Sequence, residues 1–336
     1  MKTLQRADAP APERRRARAA ARLDAPWLAI VIVAAASLGA SAAASAHGFA
    51  GKRFFPATLA TDDPFVADEL SLPTLERRRT VDADGSTLAT SASIDFTKRI
   101  TPDFGIGFGA SYLRLRPSGQ PSRSGFDNPS MNLKYQFYKS DAHETIASIG
   151  ADWDIGGSGS RRVGAESFST VTPALFVGKG MGDLPDGLRY LRPLAITASA
   201  GLSVPTRAAT NSIDANGDPS REPNPRSAKL GVAIEYSLPY LQAFVKDIGL
   251  RPPFSHIVPL LELALDKPVD RGRGATTGTV NPGFVIAGKT MQLGLEAVIP
   301  VNRHTGGSTG VLLQLHFFLD DLFPNSLGKP IFGGNT

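Results

Sequence analysis

The chain has 336 residues, with Gly 34, Pro 26 and Cys 0. That is room for one large domain or two ordinary ones, in a composition that disfavours long helices and excludes disulfides, thiolate metal sites and cysteine nucleophiles. The formal charge of +5 is concentrated in residues 1–46; beyond them 29 basic side chains face 28 acidic ones, a net +1 that excludes an electrostatic nucleic-acid binder.

Residues 1–46 read as a cleavable secretory signal peptide. Arg14, Arg15, Arg16, Arg18 and Arg22 form a basic region, the 14 residues Trp27 to Ala40 an apolar core, and Ala44-Ser45-Ala46 a small-x-small cleavage pattern before His47. A membrane span needs about 20 apolar residues, so an anchor helix is the weaker reading. The Arg15-Arg16 pair is followed by "ARAAARL" and not by a twin-arginine pattern, which favours general secretion. Residues 47–69 are then either a free periplasmic segment or a plug inside whatever follows.

From residue 70 to residue 320 the period-2 pattern of half-buried strands recurs with turn signals between. A run from Leu72 to Val81 and one from Leu88 to Phe96 flank the turn Asp82-Ala83-Asp84-Gly85. Phe104, Ile106, Phe108, Ala110 and Tyr112 then alternate with Gly105, Gly107, Gly109 and Ser111, and Met131, Leu133, Tyr135 and Phe137 with Asn132, Lys134 and Gln136. Eight more strands follow, around residues 147–155, 167–180, 194–204, 229–238, 255–266, 276–287, 290–301 and 309–319, for a count of twelve. Residues 321–336 remain as a C-terminal periplasmic tail.

The expected fold is all-β, an antiparallel up-and-down transmembrane β-barrel of 12 strands. A soluble sandwich would show polar side chains opposite its apolar face, whereas these strands show glycine and serine. An even number of roughly ten-residue alternating strands is the pattern of bacterial outer-membrane barrels, which have short periplasmic turns and longer external loops. With both termini periplasmic, the connections fit that rule except for "PYLQAFVKDIGLRPPF", residues 239–254, which reads as a brief helix. The external loops collect Arg116, Arg123, Arg161, Arg162, Arg207, Arg221, Lys267, Arg271, Arg273 and Arg303 against Asp127, Glu166, Asp214, Asp218, Glu222 and Asp270, which reads either as a basic rim suited to outer-membrane lipids and the phosphates of lipopolysaccharide or as ordinary polar loops.

Parity places Asp95, Asp152, Asp154, Glu235, Glu262 and Glu296 inside, with Lys134 and Lys229 and the neutral Asn132, Gln136, Gln292 and Gln314. Ions inside a barrel need water or partners. The small residues between them leave a passage, or space for a plug. Catalytic and metal signatures are absent: His47, His143, His256, His304 and His316 are scattered, Ser255-His256 falls at a periplasmic strand start, and in "DANGD", Asp214 to Asp218, the glycine comes too early for an EF-type loop. No enzyme, cofactor or metal is expected, and an N-terminal His47 copper site would need a second histidine that the sequence does not identify.

The signal, the amphipathic strands, the Gly/Pro-rich loops and the final hairpin "EAVIPVNRHTGGSTGVLLQLHFFLDDLFP" at 296–324 together resemble a proteobacterial outer-membrane β-barrel, broadly similar to the transporters grouped with the MetA-pathway of phenol degradation. The likeness covers most of residues 70–320 and implies assembly by the outer-membrane barrel machinery and passage of small, often hydrophobic solutes. It departs at the end, where Phe317 and Phe318 are followed by "LDDLFPNSLGKPIFGGNT" in place of a terminal aromatic. The expected function is an outer-membrane channel or facilitator; the alternatives are a closed structural or adhesive barrel and a secreted soluble β-protein.

Overall fold

Alternation sets both faces of each strand, and the hydrogen-bond register decides whether the sheet closes. A computed structural model describes residues 48–82, 85–213, 218–271 and 274–333. The expected signal peptide, His47, Arg273 and most of the Asp214–Asp218 loop lie outside those residues.

Twelve long strands follow in chain order. They are β1 (Glu69–Asp82), β2 (Gly85–Thr101), β3 (Phe104–Pro117), β4 (Ser130–Ser140), β5 (Thr145–Asp154) and β6 (Thr170–Gly180). The second half has β7 (Leu194–Pro205), β8 (Ser227–Tyr236), β9 (Ile257–Pro268), β10 (Thr277–Ala287), β11 (Met291–Pro300) and β12 (Gly310–Phe318). Each pairs antiparallel with its chain neighbours, and β12 pairs with β1 from Val311 opposite Arg77 to Phe318 opposite Glu69. The ring is closed, so none of the twelve presents an edge.

Three bulges adjust the register, one of them in β2 between Arg99 and Thr101. In β1 the pairing with β2 shifts between Ser71 and Thr74, where Pro73 has no N–H to give the ladder. In β4 it shifts between Gln136 and Tyr138, and both Phe137 and Tyr138 face outward.

At the end where β1 begins and β12 finishes, the terminal end, the connections are residues 102–103, 141–144, 181–193, 237–256 and 288–290. At the loop end they are 83–84, 118–129, 155–169, 206–226, 269–276 and 301–309. The helix expected in 239–254 exists, as a short turn over Leu238–Tyr240 widening through Leu241–Val245. The connection 181–193 is longer than the alternation indicated and carries a 3-10 turn over Asp186–Leu191.

The apolar set lies outside. Phe108 is 54% exposed, Ile149 50%, Leu175 46% and Leu230 42%, and such residues recur around the wall as a contiguous belt. Soluble monomers do not expose apolar patches of that extent, whereas barrels in a bilayer do. Among the described residues no helix is long and apolar enough to cross a membrane.

Leu175 sits mid-strand in β6, opposite Ile149 of β5 and Ala200 of β7. In a bilayer, Leu175→Arg should therefore cost about 2–4 kcal/mol, while Thr279→Arg, on the inner wall beside a cavity, should be milder. Urea titrations of folding into liposomes measure both, and equal losses would contradict the assignment of faces.

Candidate functional site

The inner wall mixes polar side chains with buried apolar ones such as Ile146, Phe176, Val258 and Val285, and its terminal half is occupied. Residues 48–68 run from the terminal end into the barrel and back to the wall, held at each step by side chains of different strands. A two-residue ladder, Phe49–Ala50 with Arg53–Phe54, starts the segment.

Arg53 is fully buried. Its guanidinium donates to Glu144 Oε2 at 3.1 Å, to Pro193 O at 2.9 Å and to Arg192 O, and it lies 3.8 Å from the centroid of the Tyr240 ring. Glu144 is filled from the other side by Tyr240 Oη, donating to Oε1 at 3.1 Å, and by Gly182 N at 3.0 Å. Residues 144, 182, 192–193 and 240 come from the turn and the two long connections of the terminal end. Those connections are long because they form the socket for one arginine, which explains the exception to the loop-length rule. A buried ion pair is tolerated only when its remaining hydrogen-bonding groups are satisfied; here the guanidinium and both carboxylate oxygens are.

Beyond Phe55, packed on Ala50 and Ala195, the segment bonds to inward side chains. Gln292 pairs with the Ala57 peptide, accepting from its N at 3.2 Å and donating to its O at 2.6 Å. Glu262 collects the tip: it accepts from Leu59 N at 2.7 Å, Ala60 N at 2.8 Å, Thr61 N at 2.7 Å and Thr61 Oγ1 at 2.9 Å. On the return, Lys134 donates to Asp63 O at 2.7 Å, Ser148 to Pro64 O and Thr97 to Ala67 O at 3.0 Å. Asp68 closes the excursion, accepting from Lys98 Nζ at 2.7 Å and Arg99 Nε at 2.8 Å.

Inward glycines make the room. A Cβ at Gly294 would stand 2.6 Å from the Leu59 side chain, and one at Gly231 2.6 Å from Ser199 Oγ and 3.1 Å from Thr61. On β3 the glycines serve the wall as well: Gly109 faces Ser130 and Asp95, and Gly105 faces Val66.

The inward residues read from the sequence divide into two groups. Glu235, Glu262, Gln292 and Glu296 are each at most 2% exposed. Glu296 Oε2 accepts from Asn281 Nδ2 at 3.2 Å, and Glu262 stands opposite Asn281 in the register. Asp95, Asp154 and Lys229 are exposed, and Asp152, Lys134 and Gln136 half-buried. Cavities of ≈ 530, ≈ 340 and ≈ 240 Å³ lie around the tip at Leu59–Asp62. Lys229, Asp266 and Arg78 border the first, Asp95 the other two, and Arg78 is tied to Glu76 at 3.3 Å.

Arg53 and Glu144 carry no period-2 signal, and sequence reading missed them; one follows a glycine-containing turn and the other sits in a four-residue connection. Among the described residues no group of His, Asp and Glu could hold a metal ion. Ser255-His256 falls in a 3-10 turn at the terminal end. A Ser–His contact does exist elsewhere: Ser71 Oγ lies 2.9 Å from His316 Nδ1, buried at the β1–β12 seam with the ring against Phe318.

No family model and no curated protein matches the sequence. Among solved structures, the COG4313 outer membrane channel from Pseudomonas putida F1 is similar over 79% of this chain and 99% of its own, at TM-score 0.53 and 10% identity. This is an outer-membrane-type barrel fold. Weaker likenesses are to the KdgM porin (74% of this chain, 98% of that one, TM-score 0.41, 12% identity) and to the translocator domain of the autotransporter NalP from Neisseria meningitidis (74%, 88%, 0.43, 9%).

Glu262 makes a direct prediction. Hydrogen bonds to a charged group contribute about 1.5–3 kcal/mol each, so Glu262→Ala should lower the exchange protection of the Leu59, Ala60 and Thr61 amides by roughly a hundredfold or more. Hydrogen exchange read by mass spectrometry reports it; unchanged protection would mean that the tip is held by packing alone.

Proposed function

We propose that the protein is an outer-membrane channel for small solutes, exported by the signal peptide of residues 1–46, inserted by the barrel assembly machinery, with its termini in the periplasm and its loop end toward lipopolysaccharide. The observation that supports this most is the combination of a closed barrel, apolar outside, with polar cavities around an internal segment. Chemistry is not part of this reading, and nothing in the lumen singles out one solute.

The segment at 55–67 is the constriction. The path runs beside its tip, where the cavities are bordered by the acidic Asp62, Asp63, Glu69, Glu76, Asp95 and Asp266 and the basic Arg78, Lys134 and Lys229, with Asp152 on the adjoining wall. Glu262 and Gln292 hold the segment and Glu296 bonds Asn281 of the wall; these three and Glu235 are buried, out of contact with the moving solute. A ring of carboxylates attracts cations at short range and is screened by salt. Single-channel recordings at low salt should show a modest cation preference that falls in Asp95→Asn/Asp152→Asn, whereas Glu296→Gln leaves it unchanged. Absence of any conductance would favour the closed structural or adhesive barrel.

Asp63 adds a pH dependence. Burial pushes its carboxyl from 3.8 up to about 6, against the pull of the Lys134 ammonium, with Glu69 and His316 acting in opposite directions nearby. In a released segment the carboxyl returns to the ordinary value. Docking then takes up a proton between about pH 4 and 6, so the segment is held more tightly as pH falls through 6 and is released more readily above it. Conductance should rise as pH is raised through that window, and Asp63→Asn should flatten the rise; a profile identical in the variant would assign the effect to another group.

A further inference from the structure

The outer wall carries a feature that conduction does not use. Arg77 and Arg79 on β1, and Arg114 and Arg116 on β3, are all exposed and lie on the outward parity near the loop end. The register sets them in two rows: Arg77 and Arg114 both stand opposite Thr90 of β2, and Arg79 and Arg116 both stand opposite Leu88. Standard strand spacings make this a rectangle of roughly 10 by 7 Å between Cα atoms.

Some other arginines of the loop end have carboxylate partners. Arg226 and Arg271 share Asp270 at 2.7 and 3.7 Å, and Arg78 has Glu76. In the rectangle, Arg79 donates to Ser86 Oγ at 3.0 Å, which in turn meets Ser118 Oγ at 2.8 Å. Among the described residues Arg77, Arg114 and Arg116 have no ion-pair or hydrogen-bond partner for their guanidinium groups. The next row toward the barrel middle is apolar and aromatic: Leu75, Ala92 and Tyr112, with the Tyr112 ring 5.2 Å from that of Phe126, itself 64% exposed.

An aromatic row at the edge of an apolar belt marks where hydrocarbon gives way to headgroups. Four unneutralised guanidiniums just beyond it meet phosphate, which arginine grips bidentately. We propose that this rectangle binds a lipid whose headgroup presents two phosphates, the lipopolysaccharide of the facing leaflet, with its acyl chains along Leu75, Tyr112 and Phe126. The orientation this requires rests on the reading above. A lipid with one phosphate engages a single row at a time; one with two bridges both rows, which selects for the bisphosphorylated headgroup.

The test uses the folded full-length barrel in detergent, with native mass spectrometry of added bisphosphorylated lipid A, monophosphorylated lipid A and phosphatidylglycerol. Retention should fall in that order. The variant Arg77→Gln/Arg79→Gln/Arg114→Gln/Arg116→Gln should lose roughly a hundredfold or more in lipid A affinity, and Lys246→Gln/Arg251→Gln, on the terminal-end connection 237–256, none. Heat-modifiable migration checks folding; if the fourfold variant fails it, the pairs Arg77→Gln/Arg114→Gln and Arg79→Gln/Arg116→Gln should each lose about tenfold. Equal binding by wild type and variant, equal retention of phosphatidylglycerol, or displacement of lipid A by inorganic phosphate at equal concentration would overturn the proposal. Conductance plays no part in this assay, so a barrel that binds lipid A without conducting removes only the channel. Labelling a cysteine placed at Ser158 in intact cells tests the orientation separately.

Discussion

In hydrocarbon every backbone N–H and C=O must be paired within the chain, and in this protein that requirement comes down to one seam. β12 meets β1 with Leu313 opposite Leu75 and Phe318 opposite Glu69, bringing together residues some 240 positions apart. The bulge at Leu72–Pro73 sits in the same region, and the buried Ser71–His316 contact ties the two strands where the register slips. Because the ring closes there, the outer face is free to be apolar and the inner face to hold ions. Had β1 and β12 stayed apart, each would have been an edge open to other chains.

The buried ions depend in turn on the internal segment. Glu262 in an empty barrel would need water; with the segment docked it receives three backbone N–H groups and a hydroxyl, which replace solvation. Those amides belong to consecutive residues at a tip, where no ladder could satisfy them. Each side therefore resolves the other's unpaired groups. The same reciprocity holds for Arg53 and Glu144 at the terminal end, where long connections supply carbonyls to the guanidinium. The segment and the wall are thus joined by polar contacts placed inside and by apolar ones beside them, Phe55 on Ala195 and Leu59 on Val258, Leu260 and Val285.

Much of this architecture was legible in the alternation of side chains. The twelve strands, their chain order and their inward and outward parities all appear in residues such as Met131, Leu133 and Tyr135 against Asn132 and Lys134, because a period of two is a local property of a strand. Height along the barrel was less legible. Tyr135 is mid-strand in β4 but opposes Phe104, the first residue of β3, and so lies toward the terminal end, because stagger between tilted strands is set by pairing and not by strand length. The path of residues 48–68 carried no periodic signal at all. Its anchors are single side chains on distant strands, and a contact between Leu59 and Glu262 has no local correlate.

The glycines mark the boundary between what pattern reveals and what packing decides. Inward glycine and serine on β3 spoke for an interior that needs space, without saying what fills it. Space at Gly105 and Gly294 is taken by Val66 and Leu59 of the segment, at Gly107 and Gly109 by wall residues Asn132, Ser130 and Asp95, and at Gly231 by both, Ser199 of the wall and Thr61 of the segment. One residue type thus performs two tasks on one face. Where the neighbour is the segment, the glycine makes docking and the size of the opening the same variable; where it is the wall, the glycine lets polar side chains of adjacent strands lie flat and keeps the remaining lumen wide. The segment thus occupies room that inward glycines of the wall leave for Val66 and Leu59.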